Sequence, residues 1–269
     1  MAEKKSIKMA LSNTEDFGND EEDSGNEFGH SLEKLNLGSK KKLLVLDLNG
    51  VLVARRYILD KAKIPKSRTP DRTYGSHLVY ERPFCDEFMK FCLERFEVGI
   101  WSSAMERNVG VLDSVMGGIR SKLLFVWDQS QCTDTGFKCL DNKERPLFIK
   151  DLNKVWDYLE KFPKRGGNYS ASNTLFIDNE PCKAILNPPN TSIFPEFYDP
   201  EDINDDALDP EGVLASYLEE LAASDDVPTY VKEHPFGRPA ISRNHPDWGF
   251  YSGVLRRLGK EKLYEDVIG

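Results

Sequence analysis

The sequence predicts an α/β fold built on a doubly wound, Rossmann-like parallel sheet. Four short apolar runs lie within KLLVLDL (42–48), FEVGIWSSA (96–104), KLLFVWDQS (122–130) and NTLFIDNEP (173–181). Each run is continuous, as expected of a strand buried on both faces, and each stops abruptly at polar residues. Segments with helical periodicity separate the runs. Strands that alternate with helices indicate crossover connections and a parallel sheet.

Three segments between these strands carry a helical pattern. The first, RPFCDEFMKFCLERF (82–96), is expected to begin at Pro83, a favourable first helical residue. It would place Phe84, Phe88, Phe91 and Cys92 on one apolar face. The segments ERNVGVLDSVM (106–116) and DLNKVWDYLEKF (151–162) show the same periodicity.

Composition restricts the class of protein. A chain of 269 residues has ample material for one full-sized domain with tails, and its net charge of −9 disfavours a nucleic-acid or membrane-surface role. No apolar run approaches the roughly 20 residues needed to span a bilayer. The N-terminus lacks the apolar core of a signal peptide and is too acidic for a transit peptide, so a nuclear or cytoplasmic location is expected. Five cysteines without a C-x-x-C pair predict buried thiols in a reducing compartment.

The chain divides into a tail and one domain. Residues 1–40 are predicted to be a disordered acidic tail, because they are too polar to bury a core, and residues 41–269 form the domain. The insert 54–80 holds seven basic and two acidic residues, and would be either a flap over the site or a solvated loop. The acidic segment 199–226 holds eleven acids and no Lys or Arg, which is typical of a solvated surface. The remaining C-terminal residues are apolar enough to pack back on the sheet.

The predicted strand ends select the candidate site. In sheets of this kind, ligands bind beyond the carboxyl ends of the strands. The polar residues expected there are Asp47, Ser102, Ser103, Asp128, Asp178 and Asn179. Two neighbouring carboxylates, Asp47 and Asp178, would suit a hard divalent cation such as Mg²⁺.

Two further groups suit an anion. Lys150 precedes a predicted helix and offers a compact positive charge. Ser102 offers a hydroxyl and nearby backbone N–H groups at a strand end. A carboxylate nucleophile, a metal, a lysine and a hydroxyl together indicate phosphoryl transfer.

Four segments in order resemble the haloacid-dehalogenase superfamily, and within it the FCP-homology branch. They are LDLNGVLV (46–53), VYERPFCDEFMKFCLERFEVGIWSSA (79–104), FIKDL (148–152) and LFIDNEP (175–181). The branch contains small phosphatases of the RNA polymerase II C-terminal domain, NLI-interacting-factor-like proteins and a mitochondrial inner-membrane translocase subunit. Each motif alone is weak, but four in the right order on the right elements are specific. The resemblance covers about residues 42–200 and implies a haloacid-dehalogenase-type sheet with a flap insert after the first strand.

The resemblance also implies roles for the site residues. Asp47 would attack phosphorus and form an aspartyl-phosphate. The phosphoryl oxygens would be held by Ser102, Ser103 and Lys150. The cofactor would be Mg²⁺, bound or oriented by Asp47, the backbone carbonyl of Asn49, Asp178 and Asn179. The implied substrates are phosphoserine or phosphothreonine proteins.

One residue departs from the family pattern. Asn49 stands where the pattern has a second aspartate, which protonates the leaving oxygen and later accepts a proton from water. An amide can do neither, and such acid–base help is typically worth about 10²–10⁴ in rate. Catalytic turnover is therefore expected to be reduced, while the metal and phosphate sites are expected to persist.

Several alternatives remain open at this point. Asn49-Gly50 between apolar runs is also a strong hairpin signal, which would make VLVARRY (51–57) an antiparallel partner of the first strand. The chain is either a Mg²⁺-dependent phosphoprotein phosphatase of low activity or a catalytically impaired module that binds a phosphoprotein or an acidic peptide. The translocase subunit of the branch is a precedent for the second use. Nucleic-acid binding through the basic insert is the least favoured function.

Overall fold

The computed structural model describes residues 41–105, 118–162 and 167–264. The predicted tail, residues 1–40, and the predicted helix 106–116 lie outside the described residues. The strands are β1 (Leu43–Leu46), β2 (Val53–Tyr57), β3 (Arg72–Tyr74), β4 (His77–Glu81), β5 (Glu97–Trp101), β6 (Phe125–Trp127), β7 (Thr133–Lys138), β8 (Pro146–Ile149), β9 (Thr174–Ile177) and β10 (Ser192–Ile193). The helices are α1 (Cys85–Arg95), α2 (Leu152–Glu160), α3 (Val213–Ala223), α4 (Val227–Glu233) and α5 (Trp248–Arg257).

The core of the domain is a five-stranded parallel sheet in the order β10-β9-β1-β5-β6. The chain starts at the central strand, builds β5 and β6 on one side, and then returns to add β9 and β10 on the other. This reversal of direction confirms the predicted doubly wound α/β fold. Because β1 and β9 are neighbours on either side of the reversal, Asp47 and Asp178 follow adjacent strands at the position where such sheets bind ligands.

Helix α1 begins later than the sequence pattern predicts. Its first residue is Cys85, and Phe84 precedes it in a left-handed conformation with φ 62° and 42% of its surface exposed. The predictions that Pro83 starts the helix and that Phe84 joins its apolar face are therefore wrong. The buried face consists of Cys85, Phe88, Met89 and Cys92.

The Asn-Gly pair does not form a hairpin. The backbone N–H groups of Leu52 and Val53 both donate to the Leu48 carbonyl, so the chain makes a tight coil after β1. Strand β2 then pairs with β4 in a separate three-stranded antiparallel sheet of order β2-β4-β3. We call residues 53–81 the flap sheet.

The acidic segment is less solvated than its composition predicts. Asp205 accepts two hydrogen bonds of 2.8 Å from the Arg82 guanidinium, and both side chains are more than nine-tenths buried. Glu201 accepts bonds from the Lys66 N–H and the Ser67 hydroxyl of the flap sheet. The first part of the acidic segment thus packs on the base of the flap sheet, because opposite charges attract there. The prediction of a wholly solvated surface is wrong for this part.

The C-terminal residues divide between two surfaces. Val227 and Val231 of α4 join a core cluster on one face of the five-stranded sheet, as expected, while α5 packs elsewhere. The buried side chains of α5, which include Val254 and Leu255, cluster with Leu147 and Ile149 of the two-stranded β7–β8 sheet. They do not join the two core clusters formed by the faces of the five-stranded sheet. Within the described ranges, no helix has both the length and the apolar character needed to cross a membrane.

We expect Arg82→Met to lower the free energy of unfolding by about 3–5 kcal/mol, because it leaves the Asp205 carboxylate buried without a partner. Arg82 also donates to the Val51 carbonyl, so the loop after β1 loses a contact. Urea unfolding followed by circular dichroism measures the change. The matched control is Arg72→Met, whose ion pair with Glu81 is exposed and should be worth about 1 kcal/mol or less. Equal losses in the two variants would contradict the prediction.

Candidate active site

Three predicted site residues meet at the carboxyl end of the sheet. The Lys150 ammonium donates to Asp47 Oδ1 and to Asp178 Oδ2, both at 2.7 Å. Each of the three side chains is at most 1% exposed. Asp47 follows β1, Asp178 follows β9 and Lys150 follows β8, so three separate strands bring these charges together.

The electrostatics of this cluster favour a cationic or proton-donating partner for Asp178. Burial raises the pKa of the Asp178 carboxyl, and the negative charge of Asp47 raises it further. Lys150 and Lys183 oppose this shift but do not outweigh it. Holding the two carboxylates close together therefore costs electrostatic free energy, as is typical of functional sites.

The oxygen ligands of this site fit a hard divalent cation. Asp47 Oδ2 is buried and has no hydrogen-bond partner, so its lone pairs are free. Asn179 is buried beside Asp178 and adds an amide oxygen. No cluster of three or more His, Cys, Asp or Glu side chains suited to a metal occurs among the described residues, so amide and carbonyl oxygens would have to complete the ligands. Carboxylate, amide and carbonyl oxygens are the ligands that Mg²⁺ and Ca²⁺ accept.

Asn49 lies at the entrance of the same site. Its side-chain oxygen accepts a hydrogen bond of 3.0 Å from the backbone N–H of Arg55, the third residue of β2. The next residue, Gly50, has φ 99°, and a Cβ there would lie 2.4 Å from the Asn179 amide oxygen. Glycine is thus required at position 50 because the backbone lies close to the Asn179 side chain, and not because the pair forms a hairpin turn.

The two serines occupy the end of β5. Ser102 is buried, and its hydroxyl oxygen accepts the Ala104 N–H at 3.1 Å, which curls the chain after the strand. Ser103 is half-buried, and its hydroxyl oxygen accepts a bond of 3.1 Å from the Lys183 ammonium. Asp128 ends β6 as expected, but its carboxylate caps its own turn through the Ser130 N–H. Among the described residues, this carboxylate makes no hydrogen bond or ion pair with Asp47, Lys150 or Asp178.

Sequence reasoning missed three charged residues of the site. Lys183 lies in a short helical turn, Pro181–Ala184, and is 7% exposed. Glu180 pairs with Arg145 at 2.5 Å and with Lys183 at 3.4 Å. Burial acts to raise the pKa of Glu180, but Lys183 and Arg145 outweigh it, so the pKa lies below its usual value. The only signal in the sequence for Glu180 and Lys183 was the EPCK tetrapeptide (180–183), which overlaps the end of the LFIDNEP motif.

A cleft of about 570 Å³ begins at Asn49 and Asn179 and extends away from the buried charges. Its walls include Phe197, Arg238, Phe250 and Tyr251. The Arg238 guanidinium donates to the Asn179 carbonyl at 3.4 Å and is otherwise exposed. The C-terminal residues therefore form part of the approach to the site.

A family model described as NLI interacting factor-like phosphatase matches residues 42–228. The chain belongs to this family. The match contains every predicted site residue, while the cleft residues Arg238, Phe250 and Tyr251 lie beyond its end. The resemblance to the FCP-homology branch is thereby confirmed.

Individual relatives are distant. An uncharacterised FCP1 homology domain-containing protein of Schizosaccharomyces pombe is 25% identical over 201 residues, which cover 73% of this chain and 78% of that protein. The ubiquitin-like domain-containing CTD phosphatase 1 of Xenopus laevis is 25% identical over 198 residues, covering 71% of this chain and 54% of its own. This chain thus spans only about half of the frog protein. The solved structure of the fission yeast RNA polymerase II CTD phosphatase Fcp1 aligns with a TM-score of 0.38 at 14% identity, covering 84% of this chain and 65% of its own.

We expect Gly50→Ala to destabilise the protein more than Gly75→Ala. Both glycines have positive φ, but a Cβ at Gly75 would meet nothing within 4 Å, whereas one at Gly50 would overlap Asn179 and Phe197. Gly75→Ala should cost about 1–2 kcal/mol for backbone strain alone, and Gly50→Ala about 1–3 kcal/mol more for overlap. Urea unfolding of both variants measures the difference. Equal costs would show that the loop moves away from Asn179 without penalty.

Proposed function

We propose that this chain is a Mg²⁺-dependent phosphoprotein phosphatase that acts through an aspartyl-phosphate at Asp47, with turnover reduced by Asn49. Membership of a phosphatase family supports the reaction class. The observation that carries the proposal is the buried cluster of Asp47, Lys150 and Asp178, in which one oxygen of Asp47 has no partner. That oxygen is available to a ligand, and a bound cation would offset the cost of about 1–3 kcal/mol of leaving a buried acceptor without a partner.

Each residue has a distinct role in the proposed reaction. An Asp47 oxygen attacks phosphorus, a P–O bond to Asp47 forms, and the bond to the substrate oxygen breaks. Lys150, Ser102 and the backbone after Ser102 donate to the phosphoryl oxygens. Mg²⁺ would be held by Asp47, the Asn49 carbonyl, Asp178 and Asn179, and would supply positive charge to the transferred group. Water then attacks the aspartyl-phosphate, releases phosphate and restores Asp47.

The amide of Asn49 cannot assist either of the two proton transfers in this reaction. The departing substrate oxygen needs a proton, and the attacking water must lose one, but an amide exchanges neither in this pH range. The amide oxygen accepts the Arg55 N–H, a bond that a carboxylate would accept equally well. Substitution by aspartate should therefore restore a proton carrier without disturbing the loop.

The substrate chain would lie in the cleft between Asn49 and the C-terminal residues. The cleft combines aromatic side chains with the exposed Arg238 guanidinium, so it suits a peptide that carries both apolar and acidic groups. The basic flap sheet is a weaker candidate for this contact. Four of its seven basic side chains already pair with acids of the same chain, namely Arg56, Lys63, Arg68 and Arg72.

We expect wild-type protein to hydrolyse an aryl phosphate slowly with Mg²⁺, and Asp47→Asn to lose this activity. Asn49→Asp should raise the turnover number by about 10²–10⁴, because it restores acid–base help. The matched control is Asp128→Asn, another strand-end carboxylate that caps its own turn and should leave the rate unchanged. Steady-state release of the aryl alcohol measures all four proteins.

The absence of measurable aryl phosphate hydrolysis in both wild type and Asn49→Asp would contradict the catalytic proposal. The alternative, a phosphatase-fold module that binds a phosphoprotein or acidic peptide, would then be favoured, and the Asn49 amide is the observation that supports it. Retention of activity in Asp47→Asn would instead show that the nucleophile is wrongly assigned.

We also expect a covalent phosphate to accumulate on wild-type protein during turnover of an aryl phosphate, whose leaving group needs little protonation. Hydrolysis of the intermediate still requires a proton acceptor, so the second step slows more than the first. Acid quenching and peptide mass mapping should find phosphate on the peptide that contains Asp47. Asn49→Asp should trap less, because its intermediate is hydrolysed faster. A wild-type protein that turns over substrate with no trapped phosphate would contradict this order of steps.

A further inference from the structure

Lys183 lies between Ser103, which follows β5, and the carboxylates of Asp178 and Glu180. Its ammonium lies 3.1 Å from the Ser103 hydroxyl oxygen, 3.4 Å from Glu180 Oε2 and 4.0 Å from Asp178 Oδ1. Its backbone carbonyl accepts the Lys150 N–H at 2.9 Å, so the main chains that carry the two lysines are joined. A buried lysine in this position needs a reason, because burying an ammonium costs several kcal/mol.

The ion pair with Glu180 alone does not explain why Lys183 is buried at this position. The Glu180 carboxylate already has Arg145 at 2.5 Å, and its contact with Lys183 is longer. Burial acts to lower the pKa of Lys183, but Asp178, Asp47 and Glu180 outweigh it and raise the pKa above its usual value. The carboxylates that keep Lys183 charged therefore include both acids of the active site.

The number of hydrogen-bond donors points to the same conclusion. An ammonium has three N–H donors, and Lys150 uses two of them on Asp47 and Asp178. It has one left for the three outer oxygens of a phosphoryl group. Lys183 donates to Ser103 at 3.1 Å and lies 3.4 Å from Glu180, so it too has a donor that could serve a phosphoryl oxygen.

There is also space beside Lys183. A cavity of about 220 Å³ is lined by Ser103, Glu180 and Lys183, among others. Ser103 is next to Ser102 in the chain, and Ser103 and Lys183 both line this cavity, so an anion oxygen that enters it could be reached by both.

We propose that Lys183 is a second cation that binds the phosphoryl group, acting together with Ser103 beside Lys150. The inference rests on the proposed function, since it adds a binding residue to the same site. It assigns no bond making or breaking to Lys183. The ammonium holds an outer phosphoryl oxygen and balances charge that Lys150, shared by two carboxylates, cannot balance alone.

The test measures the affinity of the full chain for inorganic phosphate, by calorimetry in the presence of Mg²⁺. Lys183→Met should raise the phosphate Kd about 10–100-fold, the loss expected for one charge-assisted bond. Lys183→Arg should stay within about threefold of wild type, because it keeps the charge. Lys161→Met, an exposed lysine just after α2, is the matched control and should leave the Kd unchanged. The double variant Lys183→Met with Glu180→Gln removes both charges and guards against misfolding of the single variant.

Folded Lys183→Met or double variant with a phosphate Kd within twofold of wild type would overturn the inference and leave Lys183 as a partner of Glu180. A wild-type chain that binds no phosphate would overturn the proposed function as well, which separates the two failures. If neither variant folds, wild-type crystals soaked with tungstate decide the matter. An oxygen within about 3.2 Å of Lys183 Nζ supports the inference, and one held only by Lys150 and the serines overturns it.

Discussion

The arrangement of the site depends on one ammonium shared between two buried carboxylates. Without Lys150, Asp47 and Asp178 would lie close together in the interior with no cation between them, and one would have to take up a proton. With Lys150, both remain acceptors at the end of adjacent strands. The doubly wound order of the sheet makes this possible, because the chain returns beside β1 only after β8 has delivered Lys150. The topology therefore brings the three charges of the cluster together.

The loop after β1 is held by a second buried ion pair. Arg82 donates to Asp205 and to the Val51 carbonyl, so it ties this loop to the acidic segment. The Tyr198 N–H donates to the Gly50 carbonyl from the same side. The residues that follow Asp47 are thus fixed from outside the sheet. An acidic segment that composition assigns to solvent therefore helps to hold the loop that follows Asp47.

Sequence reasoning predicted those residues of the candidate site that directly follow an apolar strand. Polar residues at the ends of apolar strands were sufficient to place Asp47, Ser102 and Asp178 at one edge of the sheet, because parallel strands bring their carboxyl ends together. The same reasoning could not find Lys183, which follows no strand and is buried by tertiary packing. It could not predict the pairing of Asp205 with Arg82 either, since these residues are 123 positions apart. The left-handed Phe84 contradicts the local propensity for a helix that starts at Pro83, so tertiary constraints outweigh propensity there.

Under the proposed function, position 49 separates the binding of a phosphoryl group from its release. The contacts among Asp47, Lys150 and Asp178 do not involve the Asn49 side chain, whose oxygen bonds only to the Arg55 N–H among the described residues. A carboxylate at this position could accept the same bond, so the exchange for an amide does not require a different loop. The exchange removes a negative charge and the capacity to carry a proton. Under the proposed function, the affinity of the site for phosphate and the rate of hydrolysis are therefore set by different atoms. A chain of this kind can lose most of its turnover while it still binds the phosphoryl group, because the three buried charges stay in place.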